Sequence, residues 1–442
     1  MDVLPLPSRP DLEQYKKRAK DLAKAARSGA PGAIRSWAAD WLNALARSQV
    51  EKITPFVQAS IDRAIDALEL HVGERMARIG SGGDSGLLAE AQFVIARAHG
   101  FESWPRFAAH VERMGQSDTV TGEFESAADA VVAGDLPVLQ SLLRANPGLV
   151  REHSTRSHRA TLLHYVAANG VEDFRQKTPP NAVAVARVLL DAGSEVDALA
   201  DSYGRDRYQT TLNLLVSSTH PAEAGVQSAL VEVLLDFGAA INGLDDDSSP
   251  LMTALAFGYR DAAETLGRRG ARIDSALAAA ALGRLDLVRA FVIDRRTLRP
   301  HVRFAAPAWF RLSGDPETHV DLACAWAAKF GRVDVVEHLL SLGVPVTAQD
   351  PDRMTLLHWA SANGSLDLIR LLLERGAPLE VENVWGGTVL GSTIHFACHQ
   401  PIAGADYPAV IRMLVEAGAD VRAVTPFPTG DPAIDGALRR RG

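Results

Sequence analysis

The chain has 442 residues, a net charge of −8 and two cysteines, Cys324 and Cys398. That length allows several modules, the acidic balance argues against nucleic acid as the main partner, and two cysteines do not make a disulfide framework. No apolar run reaches the roughly 18 residues that span a bilayer, and residues 1–7 lack a basic region followed by an apolar run, so a soluble cytoplasmic protein is expected.

Residues 1–116 read as a small helical domain. A helix over 11–27 places Leu12, Tyr15, Ala19, Leu22 and Ala26 on one face, and a second over 34–47 does the same with Trp37, Trp41 and Leu45. A long third helix is expected over 50–79, bent at Pro55, followed by a Gly/Ser loop at 81–86. Helices over 87–98 and 104–114 complete the set, the last with Ser103 as N-cap and Pro105 in its first turn. Residues 116–122 are a polar linker.

From there a unit recurs. Its clearest copy runs Thr355-Leu-Leu-His-Trp-Ala-Ser-Ala-Asn-Gly364, then Ser365-Leu-Asp-Leu-Ile-Arg-Leu-Leu-Leu-Glu-Arg-Gly-Ala-Pro-Leu379. The threonine oxygen can cap a first helix, Gly364 ends it, and the leucines make a second helix apolar on more than one side. Such a pair cannot bury its apolar surface alone, but a stack can. Further copies begin at Thr161, Thr210, Ser249 and Thr388, with weaker ones near Phe124, Asp274 and Leu322, about eight in all.

The box Thr-Leu-Leu-His-Trp-Ala and the later Leu-Leu-Glu-Arg-Gly-Ala-Pro-Leu resemble the ankyrin repeat, with its Thr-Pro-Leu-His-x-Ala signature and period of about 33 residues. The expected fold is therefore all-α: an ankyrin-repeat solenoid over 117–442, some repeats carrying insertions, preceded by a helical capping or docking domain over 1–116. The segments around Leu6–Tyr15 and Ala91–Pro105 are similar to an N-terminal module of some bacterial ankyrin-repeat proteins, a resemblance that confers no activity; an end cap shielding the first repeat accounts for it.

The resemblance implies a concave groove formed by inter-repeat turns and the exposed side of first helices. The groove-facing slots of repeats six and seven hold Trp326, Lys329, Phe330, Trp359, Ala362 and Asn363, and the adjoining turns add Asp352, Arg353 and Trp385. Aromatics and arginine dominate binding hot spots, so these are the expected partner-binding residues; the competing reading packs Trp326 and Trp359 between repeats. A candidate pocket for a small polar or anionic ligand lies in repeats two and three. Insertions at 171–180 and 220–227 and a long turn at 198–208 bring Glu172, Arg175, Gln176, Asp201, Tyr203, Arg205, Arg207, His220, Glu223 and Gln227 near Tyr165, Asn169 and Asn213.

His164 and His358 hold the box position, where the family uses histidine structurally. His395 and His399 are four apart beside Cys398, but without the glutamate of a zinc hydrolase box and with too few ligands for a zinc site. No nucleotide loop, nucleophile elbow or kinase motif appears, so neither a cofactor nor a catalytic residue is expected. A non-enzymatic scaffold for a protein partner is the leading expectation; a small-molecule binder or enzyme in the loops of repeats two and three is the alternative.

Overall fold

The computed structural model describes residues 4, 6–7, 10–49, 55–79, 84–116, 119–202, 208–303, 314–402, 404–424 and 429–439. It falls into two compact units, Met1–Ala239 and Ala240–Gly442.

The first unit begins with α1 (Leu12–Ser28), α2 (Ala33–Gln49), α3 (Pro55–Ile79), α4 (Asp84–Ala98) and α5 (Trp104–Gly115). Asp11 caps α1 by accepting from the Glu13 amide at 2.9 Å. Tyr15, Ala19 and Leu22 turn inward with Trp37 and Trp41, as their helical spacing predicts. Helix α3 is described from Pro55, a residue suited to a first turn because it lacks the N–H left unused there; residues 50–54, where the sequence pattern begins this helix, lie outside the described residues. Helix α4 takes in Asp84, Ser85 and Gly86, which the Gly/Ser composition had marked as loop. His99 stacks on Phe107 at 5.3 Å and donates from Nδ1 to the Leu4 carbonyl at 2.8 Å. Burial lowers its pKa from 6.5 to about 4, so the ring sits neutral in an aromatic core.

Three repeats follow in this unit. They are α6 (Val120–Ala133) with α7 (Leu136–Ala145), α8 (Leu162–Val166) with α9 (Ala182–Asp191), and α10 (Thr211–Leu215), α11 (Thr219–Glu223) and α12 (Gln227–Asp236). The third repeat's insertion thus supplies a short helix of its own, α11, between the pair.

The second unit continues the series with α13 (Ser249–Phe257) and α14 (Arg260–Arg268), then α15 (Ala276–Ala281) and α16 (Leu285–Phe291). A hairpin follows, β1 (Val292–Asp294) with β2 (Thr297–Leu298). Arg295 at its tip pairs with Glu317 at 2.8 Å and Asp321 at 2.7 Å. Then come α17 (Pro316–Lys329) and α18 (Val333–Ser341), α19 (Leu356–Ala362) and α20 (Leu366–Glu374), and α21 (Val389–His399) and α22 (Tyr407–Glu416), closed by α23 (Pro432–Leu438). Among the described residues, no helix is long and apolar enough to cross a membrane.

The box histidines show how one repeat holds the next. Thr355 N donates to His358 Nδ1 at 3.2 Å, which leaves the ring proton on Nε2, and Nε2 donates to the Gly387 carbonyl at 3.2 Å. His164 repeats this, accepting from Thr161 N at 3.1 Å and reaching the Gln209 carbonyl at 3.3 Å. Each ring therefore caps its own helix and ties it to the following turn, leaving no ring nitrogen for chemistry.

Candidate functional site

The residues expected to bind a partner divide by burial. Trp326 and Phe330 are each only 2 % exposed. Trp326 lies on α17 and Phe330 caps its C-terminus, and α17 packs against both α15 and α19, so they brace the stack instead of lining a free surface. Lys329 donates to the Ala256 carbonyl at 2.8 Å and sits 5.0 Å over the Trp359 ring. Burial lowers its pKa from 10.5 to about 8, against the pull of Asp350 and Asp352. Asn363 donates to the Ala328 and Lys329 carbonyls at 3.0 and 2.6 Å, a clamp between first helices. Trp359 is half-buried and donates from its indole to Asp350 Oδ2 at 2.9 Å.

What stays outside is the pair of turns. Asp350 accepts from the amides of Asp352 and Met354 at 3.0 Å each, and one repeat later Asn383 Oδ1 accepts from Trp385 and Gly387, also at 3.0 Å. These side-chain acceptors fold the tips locally. Val384 N donates to the Asp352 carbonyl at 3.0 Å and zips the two tips together. Asp352 and Arg353 are exposed on one tip; Trp385 on the other is 72 % exposed. Arg353 has a φ of 59°, the left-handed conformation that Gly386 takes at the equivalent place with a φ of 77°.

The candidate pocket is not one place. His220 and Glu223 are exposed on α11, while Tyr165, Glu172 and Arg175 are buried. Tyr203, Arg205 and Arg207 lie outside the described residues. Asp201 donates its amide to the His158 carbonyl at 2.8 Å, Gln176 donates to the Val171 carbonyl at 2.9 Å, and the Asn213 amide caps onto Thr210 at 3.3 Å. The insertion at 171–180 turns inward, and its charges meet partners that the loop reading did not include.

Those partners form a buried ionic cluster. Glu125 on α6 accepts from Arg156 Nη2 at 2.7 Å and pairs with Arg175 Nη1 at 2.8 Å. Glu172 Oε1 lies 2.5 Å from Arg156 Nε and 3.1 Å from His158 Nε2. Arg175 also donates to Asp129 at 2.7 Å and lies 5.5 Å over the Tyr165 ring. Arg156 further donates to the carbonyls of Leu6 at 2.6 Å and Pro7 at 3.2 Å. Burial pushes the Glu172 carboxyl up, but the His158 hydrogen bond and the Arg156 and Arg175 charges outweigh it and hold the pKa at about 2. The cluster joins the lead-in, the first repeat and the insertion of the second. One signal for it was legible: Glu125 interrupts the apolar run of α6 between Phe124 and Ala127, Ala128 and Val131.

His395 and His399 lie with ring centroids 4.9 Å apart and ring planes tilted by 56°, beside the exposed Cys398. Among the described residues, no group of three or more metal-ligating side chains gathers.

Residues 324–425 match the family model described as ankyrin repeats in three copies. This span therefore carries ankyrin repeats, and it holds the paired tips of 350–354 and 383–387. The ankyrin repeat domain of human ASB11 is 22 % identical, with 66 % of this chain and 98 % of that one covered and a TM-score of 0.32. No curated protein is significantly similar.

Proposed function

We propose that the protein is a non-enzymatic interaction scaffold whose partner protein docks on the turn tips of the last two repeats, centred on Trp385 with Asp352 and Arg353. Ankyrin repeats are in general protein-interaction modules. The observation that carries this reading is Trp385, a large aromatic left 72 % exposed on a turn whose backbone is held by Asn383. A rigid aromatic loses little freedom on binding, and such residues dominate interface energetics. Arg353 supports it: an arginine keeps a left-handed backbone that costs about 1 kcal/mol or more without glycine, and such strain concentrates at functional positions. Residues 1–116 act as the cap of the first repeat in this reading. The small-molecule alternative loses support because Glu172 and Arg175 are engaged with Glu125 and Arg156.

The test is affinity capture from the native host with wild type and Trp385→Ala. The variant should weaken retention of the partner by about thirtyfold, the 2 kcal/mol of a hot-spot side chain, while thermal stability stays unchanged. Identical capture by both proteins would refute this surface.

A further inference from the structure

We propose that a second docking site, separate from the Trp385 surface, lies in the cleft between α5 and the loop 153–159, and that it takes an acidic, partly apolar peptide segment of a partner protein. The cleft measures about 820 Å³. Its rim carries the exposed guanidinium groups of Arg106, Arg113 and Arg159, and none of its lining residues is acidic. Arg106 pairs with Glu102, just ahead of its own helix, and both side chains are exposed; such surface pairs contribute little and leave the guanidinium available to a bound carboxylate. Arg113 bonds its own helix carbonyl at Ala109, and no carboxylate pairs with Arg159 among the described residues. In a chain of net charge −8 this is a local reversal of sign.

The loop side is held open and in place. Ser154 N bonds the Ala160 carbonyl at 2.8 Å, His153 Nδ1 donates to the Arg159 carbonyl at 2.7 Å, and Arg156 anchors the base through Glu125. Phe101, Pro105 and Ala109 give the α5 side an apolar floor, while Ser154, Thr155 and Ser157 line the loop side with hydroxyls. Phe101 lies 4.8 Å from His110 with the rings tilted, and the His110 Nε2 is buried and makes no hydrogen bond among the described residues. An inorganic anion would leave that floor unused, and a nucleic acid would meet the chain's overall negative field. A peptide alternating carboxylates with apolar side chains uses both features.

The experiment measures fluorescence anisotropy of the full chain with a labelled short peptide alternating Glu and Leu, and with Glu–Ser and Lys–Leu versions. Pyrophosphate and a single-stranded oligonucleotide serve as competitors. The Glu–Leu peptide should bind best, in a salt-sensitive way, and Arg113→Glu with Arg159→Glu should weaken it about tenfold or more. Arg113→Lys with Arg159→Lys should retain most of the binding, which separates charge from folding, and Trp385→Ala should leave it unchanged. The proposal is overturned if the Glu–Leu peptide does not bind, if it binds the charge-reversed protein equally, or if the oligonucleotide or pyrophosphate takes the site and the peptide does not. None of those results would bear on the Trp385 surface.

Discussion

Arg156→Ala should destabilise the first unit by about 3–5 kcal/mol, the loss seen when a buried ion cluster is left with an uncompensated charge. Removing this guanidinium leaves Glu125 and Glu172 facing one buried arginine, and it strips the Leu6 and Pro7 carbonyls of their donors. The double variant Arg156→Ala with Glu172→Ala restores the balance of buried charge, because one buried carboxylate, Glu125, then faces one buried guanidinium, Arg175, at 2.8 Å, with Asp129 on the half-exposed side of that arginine. Its loss should be smaller than the sum of the single losses by about 1–3 kcal/mol. Denaturant melts of the four proteins, read by amide exchange in α6, check both statements. Additive losses, or a single variant within about 0.5 kcal/mol of wild type, would show the cluster to be inert. The sign of the pH dependence follows from Glu172. Its folded pKa of about 2 lies below the ordinary 4.5, so its contribution is full above 4.5 and drains away as the pH falls toward 2.

Trp326→Ala should cost about 3–5 kcal/mol of stability, as for other buried tryptophans cut to a methyl group, and should lower the melting temperature of the second unit. The indole is 2 % exposed on α17. Trp385→Ala removes the same side chain from an exposed tip and should leave stability within about 0.5 kcal/mol. Calorimetry on the two variants separates them. Equal melting temperatures would mean that Trp326 does not brace the stack.

These two tryptophans mark the limit of what the sequence carries. The repeat period, the capping threonines and the box histidines are local patterns, and local geometry makes them legible: Thr355 and His358 are three residues apart and bond each other in the first turn. The turn position of Asp352, Arg353 and Trp385 was readable in the same way. Whether a first-helix aromatic faces out or in depends on the helices packed on either side, so Trp326 and Trp359 hold the same slot in the sequence, yet the first is buried and the second only half-buried. The insertion at 171–180 was harder still. Its Glu172 and Arg175 have the composition of a solvated loop, and their burial is decided by Glu125 and Arg156 from another repeat and by carbonyls of the lead-in. Nothing periodic links those positions.

The most direct test of the interaction surface is a photo-crosslinking residue placed at Trp385 in the full chain within its native host, with a second placed at Leu70, which is 66 % exposed on α3. A discrete covalent adduct with one protein at position 385, absent at position 70, is the predicted result. Equal adducts at both positions, or none at 385 while affinity capture still retains a partner, would contradict it.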